Sequence, residues 1–321
     1  MGALDFGDDY KHGWNRLLEL HADGWHCGEI LPRRAGVARN QMKRRRPTQV
    51  IPGRNHTAFS LVELLVVVAV IAILAGLLLP ALTTAKATAQ AARCLNNHKQ
   101  LQLAWLLYAG DHDDQLPPNG DMLPGLARND RPFWWAQGVM NYRDDHPDNT
   151  NTSLLLDERW AQLGNYTKDA GLYRCPSDRS VSRVGGQIRP RVRSVSMNIH
   201  VGRIVDCFVI TARRVGPDKV AQIPNPAMQF VFVDEHPDSI GGTAFWIVPG
   251  EGRESKLLSY PSALHRGGAV LSFADGHVEA HRWLDSRTRP PVKGQNWLGE
   301  TDSPENSDVR WLHQRTFFPE E

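Results

Sequence analysis

Residues 64–82 consist only of apolar side chains, one glycine and one proline, and no charge occurs between Glu63 and Lys86. At about 1.5 Å per residue this run makes a helix about 28 Å long, close to the hydrocarbon thickness of a bilayer. It is too long, and too apolar on every side, for the core helix of a soluble domain. The sequence therefore predicts one membrane span. Lys43, Arg44, Arg45, Arg46 and Arg54 precede it with no acid between Met42 and Ala58. By the positive-inside rule that end stays cytoplasmic and the residues after Leu82 cross the membrane. A secretory signal peptide is the competing reading, with Ala87, Thr88 and Ala89 as its cleavage site. Against it stand the length of the run, beyond the about 7–15 residues of a signal h-region, and Glu63, a carboxylate at the edge of lipid that calls for a partner.

The rest of the chain is ordinary. Of 321 residues, 41% are hydrophobic and 22% charged, which excludes a polytopic membrane protein and wholesale disorder and allows one large domain or two smaller ones. The net charge of +2 is unevenly placed. Residues 1–58 hold ten Lys or Arg and six Asp or Glu, leaving 27 basic and 29 acidic residues, a net of −2, in residues 59–321. Nothing in that balance suggests a nucleic-acid partner. The four cysteines, Cys27, Cys94, Cys175 and Cys207, are too few for a disulfide framework, and none forms a C-x-x-C pair.

Past Leu82 the helical pattern continues. Ala91, Cys94, Leu95, Leu101, Trp105 and Tyr108 fall on one stripe, so a single helix is expected from near Phe59 to about Ala109, about 75 Å long. Gly110, Asp111, Asp113, Asp114, Pro117, Pro118, Asn119 and Gly120 end it. A short helix is expected over 153–165 with Leu154, Leu155, Trp160 and Leu163 inward, and strands over 193–198, 208–212, 230–234, 244–248, 269–273 and 277–283. Asp275-Gly276 reads as a hairpin turn of type I′ character, and Pro304, Glu305, Asn306 and Ser307 as a polar loop before Trp311 and Leu312. The fold class is α+β: a long membrane-spanning helix packed against an antiparallel-sheet head. Its parts are a leader over 1–58, a lipid-phase helix over 59–83, the exported half of that helix over 84–110, and the head over 111–321.

Chemistry is sparse. Asp234, Glu235, His236, Asp238, His265, Asp275, His277 and His281 are metal-ligand types, and alternation puts His277 and His281 on one strand face. Loop-ordering hydrogen bonds account for them equally well, so no metal or other cofactor is assigned. Phe133, Trp134 and Trp135 suit either a core or a sugar-stacking surface. There is no Ser-His-Asp elbow, phosphate loop or paired acid motif, so an enzyme is not expected.

The segment Ala58-Phe59-Ser60-Leu61-Val62-Glu63 followed by the apolar run resembles the leader junction of type IV pilins and type II secretion pseudopilins. The resemblance implies cleavage between Ala58 and Phe59 by a prepilin peptidase and methylation of the new Phe59 amine. Counted from that cut, Phe59, Glu63 and Pro80 are residues 1, 5 and 22, the family's Phe, Glu and helix-loosening Pro. Ala58 stands where the family has Gly. A start at Met42 gives a compact basic leader of 17 residues, with residues 1–41 an upstream start-site artefact or an extension. In the family, Glu63 is expected to meet the Phe59 amine of a neighbouring subunit. Three further segments, Tyr173-Arg174-Cys175-Pro176-Ser177-Asp178, Val231-Phe232-Val233-Asp234-Glu235-His236-Pro237 and His265 followed by Asp275-Gly276-His277, resemble large pilin-like proteins of planctomycetes and verrucomicrobia.

The function so implied is a structural subunit of a type II secretion pseudopilus or a type IV pilus-like filament. Its partners are the prepilin peptidase/methyltransferase, other pilin or pseudopilin subunits, inner-membrane assembly machinery and membrane lipid. Its location is the inner membrane, single-pass, with a cytoplasmic N-terminus and a periplasmic head that reaches a surface filament on assembly. The alternative is a helix-anchored periplasmic or surface protein whose head binds polysaccharide or metal without polymerising; an anchored hydrolase using the His and Asp residues ranks third. Cys27 leaves with the leader, and in an oxidising compartment Cys94 and Cys175 would join helix to head as a disulfide, with free buried thiols as the other outcome.

Overall fold

The computed structural model describes residues 60–120, 134–202, 216–247, 256–295 and 298–316. Helix α1 runs unbroken over Leu61–Asp111. Pro80 lies inside it and withholds one backbone donor without ending it, and the Thr83 hydroxyl donates to the Pro80 carbonyl at 2.8 Å. Among the described residues nothing packs on the apolar end: Leu64, Leu77 and Leu82 are 55%, 72% and 66% exposed. Burial begins at Cys94 and continues through Asn97, His98, Leu101, Gln102, Ala104, Trp105, Tyr108 and Ala109, steps of three and four that make one face. Helix α1 stops where expected, with Asp113 and Asp114 at positive φ and the Asp114 amide donating back to the Ala109 carbonyl.

The head follows. Helices α2 (Ser153–Leu156) and α3 (Gly164–Thr167) precede the strands β1 (Val181–Val184), β2 (Gln187–Pro190), β3 (Val195–Asn198), β4 (Phe230–Asp234), β5 (Ala244–Phe245), β6 (Lys256–Leu257), β7 (Gly268–Phe273), β8 (Val278–Arg282) and β9 (Thr301–Asp302), and α4 (Ser307–His313) closes the fold. The main sheet has the order β5-β3-β4-β7-β8. Its neighbours are antiparallel except β3 and β5, which are parallel, so the sheet is mixed rather than wholly antiparallel.

Both faces of the sheet are covered, which is why β4 and β7 are buried at every residue. On one side β7 presents Val270 and Ser272 to α1; the Ser272 hydroxyl donates to Gln102 Oε1 at 2.8 Å. On that side Leu101, Trp105 and Tyr108 share a core with Trp135, Tyr173, Met197 and Phe232. The other face carries Phe230, Val233, Phe245, Leu271, Phe273, Trp283 and Leu312. Arg193 pins the loops beneath the sheet, its guanidinium donating to the carbonyls of Val195, Gly138 and Gly242 at 2.9, 3.0 and 2.7 Å.

Four expectations are corrected. The helix expected over 153–165 is two single turns, α2 and α3, because the Asp157 carboxylate accepts the Arg159 amide at 3.0 Å and turns the chain out of the helix. The Asp275-Gly276 turn is not type I′: Gly276 N–H donates to Phe273 O at 2.9 Å, and positive φ falls on Gly276 but on neither Ala274 nor Asp275, a three-residue type I turn closed by a glycine bulge. Type I′ character belongs to Gly185-Gly186 of the β1–β2 hairpin, where both φ values are positive. The loop before Trp311 leads into α4, whose cap is Asn306, its side chain accepting the Asp308 and Val309 amides at 2.8 and 3.3 Å. The strand over 208–212 lies outside the described residues; that over 244–248 is found only at Ala244–Phe245.

Candidate functional site

Two places combine geometry with chemistry. The first is the start of α1. Ser60 caps the helix: its hydroxyl accepts the Glu63 amide at 3.2 Å and the Glu63 carboxylate accepts the Ser60 amide at 2.9 Å, a reciprocal capping box. Ala58 and Phe59, the expected cleavage junction, lie outside the described residues. Glu63 is thus the last charge before the apolar run; it stands exposed beside the helix N-terminus, and one of its oxygens, Oε2, is engaged in the cap. Pro80 sits in the same unpartnered stretch, 21 residues past Phe59.

The second lies at the first fully buried turn of α1. Cys94 from α1, Cys175 from the loop after Tyr173, Asp234 from the end of β4 and His265 from the loop before β7 bring four ligand-type atoms within 4.8 Å of one another. The Cys94 thiol donates to Asp234 Oδ2 at 2.9 Å; Cys175 Sγ lies 3.1 Å from His265 Nε2, and His265 Nε2 lies 3.6 Å from Asp234 Oδ2. His98 Nε2 lies 3.2 Å from the second oxygen, Asp234 Oδ1. Cys94, His98 and Asp234 are wholly buried, and Cys175 is 1% exposed. Cys94 and Cys175, the pair foreseen as a disulfide or as free buried thiols, stand side by side as free thiols in this structure.

Within this group the histidines favour the charged forms of Asp234 and Cys175, while the Asp234 charge works against both thiolates. Burial pushes the Asp234 carboxyl up, but His98 and His265 together outweigh it and hold the group well below the ordinary carboxylate range. Burial opposes a charged His265, yet its contacts with Asp234 and Cys175 lift it to about 10. Cys175 is lowered because the Cys94 thiol and His265 favour its thiolate against the cost of burial.

The remaining ligand-type residues scatter. Glu235 contacts the Ser196 and Ser239 hydroxyls, and Asp238 accepts the amides of Lys293 and Gly294. His236 lies against the Pro290 carbonyl at 3.0 Å, His281 stacks on Trp311, and Asp275 pairs with His277 at the hairpin surface. Trp134 and Trp135 are core residues, Trp135 stacking on Tyr173; Phe133 and Cys207 lie outside the described residues. Asp275-Gly276 has a positional role: the Gly276 carbonyl accepts Lys99 Nζ at 3.1 Å, which docks the β7–β8 turn on α1. His265 and Asp275-Gly276 thus bracket β7, and the nine residues between them span the strand that lies along the helix. Sequence reasoning missed His98 as a member of the buried group. The available signal was its place four residues after Cys94, one turn along the same face.

Residues 53–79 match the prokaryotic N-terminal methylation motif. No curated protein and no solved structure matches the chain. The methylation motif, with the long apolar helix and the α+β head, supports a type IV pilin/pseudopilin-like protein, and the helix fits a single-pass membrane anchor.

Proposed function

We propose that the chain is a structural subunit of a type II secretion pseudopilus or a type IV pilus-like filament, cut between Ala58 and Phe59, methylated on Phe59, and held before assembly with its head on the exported side of the inner membrane. The observation that carries this is the two-part helix. Its apolar stretch is exposed among the described residues, whereas the continuation of the same helix is buried in the head. A helix that needed only to anchor the head would require neither a carboxylate at the edge of lipid nor rigid continuity into the core. Both suit bundling of helices, where Glu63 of one copy offsets the N-terminal amine of the next and apolar flanks exchange lipid for protein. The reading assigns packing rather than catalysis, with peptidase, assembly machinery and sister subunits as partners.

The test is mass spectrometry of the mature N-terminus together with recovery of sheared filaments. A methylated Phe59 at the start of the mature chain, with the protein in the filament fraction, is expected. An uncut chain, or cleavage after Ala89, overturns the proposal.

A further inference from the structure

We propose that Cys94, Cys175, Asp234 and His265 form a zinc site that clamps the helix to the head. The donor set is two thiols, one imidazole and one carboxylate, and the four atoms already converge from four separate segments. Tetrahedral zinc, with bonds of about 2.3 Å to sulfur and 2.0–2.2 Å to nitrogen and oxygen, holds its ligands about 3.3–3.8 Å apart. At those bond lengths the 2.9 and 3.1 Å pairs must open by about 0.4–0.7 Å and the 3.6 Å pair close by about 0.2 Å, and all four atoms start within 4.8 Å of one another.

The surroundings also suit a metal. Asp234 Oδ1 is occupied by His98, which orients the carboxylate so that Oδ2 faces the two sulfurs and His265. The Ser177 amide donates to Cys175 Sγ at 3.4 Å and the Ser194 hydroxyl accepts the Cys175 amide at 2.7 Å, which fixes the ligand loop. Val270 and Leu95 pack beside the two cysteines and shut out water. Binding would release to solvent the protons held by Cys94, Cys175 and His265 Nε2, since zinc takes thiolates and a neutral imidazole, and would leave a closed four-ligand site, the structural rather than the catalytic kind. A Cys94–Cys175 disulfide satisfies the site less well, because it removes the thiol donor from Asp234 and leaves a buried carboxylate facing a sulfur pair with no proton to give. The site stands at the first buried residue of α1, where one cross-link resists peeling of the head from the helix.

The test uses the full chain purified in detergent. Elemental analysis should find one zinc per chain, and removal with a strong chelator should lower the melting temperature in a way that zinc, and not magnesium, restores. Cobalt exchanged into the site should show thiolate charge-transfer and tetrahedral d–d absorption. Cys175→Ser and His265→Gln should each abolish stoichiometric retention. Because such variants can also fail to fold, the wild-type protein decides. Purified wild type that neither carries nor takes up zinc overturns the proposal, and so does a non-reducing peptide map with Cys94 joined to Cys175.

Discussion

Trp105 offers the sharpest test of how α1 holds the head. Its side chain is fully buried in the core with Leu101, Trp135 and Phe232, while Leu103, two residues earlier on the opposite face, is 54% exposed. A buried tryptophan removes about 150–250 Å² from water, which at about 25 cal/mol per Å² sets an upper bound of about 4–6 kcal/mol on what Trp105→Ala can lose by transfer alone. Measured truncations of this kind cluster at about 3–5 kcal/mol. The indole N–H of Trp105, however, is buried with no hydrogen-bond partner among the described residues, a penalty of about 1–3 kcal/mol. Trp105→Phe keeps most of the ring and deletes that donor, so its cavity cost is largely offset and its stability should lie within about 1 kcal/mol of wild type. The expected order of damage is Trp105→Ala far above both Trp105→Phe and Leu103→Ala. Thermal unfolding of the full chain in detergent, followed by near-ultraviolet circular dichroism, reads it; a head of this size should lose roughly 6–20 °C for the alanine variant. Equal shifts for Trp105→Ala and Leu103→Ala would falsify the assignment of the buried face.

Three other outcomes follow from named contacts. Gly268→Ala places a Cβ 2.2 Å from the His281 carbonyl across the β7–β8 ladder, so the strands must separate, at a cost of about 1–3 kcal/mol or more seen as a lower urea midpoint; an unchanged midpoint contradicts this pairing. His281 is pushed below its ordinary value by burial against Trp283 and Trp311, so the unfolded chain binds the proton more readily; stability is complete above about pH 6.5 and falls as pH drops through the lower folded value, and His281→Phe should flatten melting temperature between pH 7.5 and 5. At the start of α1 the charge and the cap are separable: Glu63→Gln keeps an acceptor for the Ser60 amide but loses the charge, and Ser60→Ala does the reverse. Filament recovery, normalised to processed subunit in the membrane, should fail for Glu63→Gln and survive in Ser60→Ala; the opposite pattern would mean that Glu63 serves the helix end alone.

What was legible in the sequence is what periodicity and composition encode locally. The apolar run fixed one half of α1, and the three–four spacing from Cys94 to Tyr108 fixed its buried face, because a helix decides its inward residues within a few turns. Strands β4 and β7 were legible as short apolar runs, since both faces of the sheet are covered where they lie. The failures have equally local causes. The Asp157 side chain competes with the helix for the backbone over 153–165, and α4 is capped by an Asn306 that a loop-like composition disguised. The parallel β3–β5 edge is set by a connection that runs through β4, a long-range fact that no window of sequence contains.

The buried group at the top of the head shows a different limit. Asp234 and His265 stood among the ligand types visible in the sequence, but in the company of Glu235, His236, Asp238 and His281, which the fold disperses into loop bonds and ring stacking. The two cysteines carry no C-x-x-C spacing that would mark them as ligands. Four donors separated by 81, 59 and 31 residues cannot be recognised by spacing, and they meet only because α1, the loop after Tyr173, β4 and the loop before β7 are layered against one another. The same layering explains the interval from His265 to Asp275-Gly276. One end of β7 delivers His265 to Cys175 beside Cys94, and the other delivers the Gly276 carbonyl to Lys99 and its Cα face to Leu106, so the strand is fastened to the helix at both ends. A change of strand length by one residue would reverse which side chains face α1, replacing Val270 and Ser272 with the bulk of Leu271 and Phe273 and breaking one fastening or the other. The interval is therefore a length requirement, and the chemistry of His265 and the turn geometry of Gly276 are separate demands that β7 holds in register.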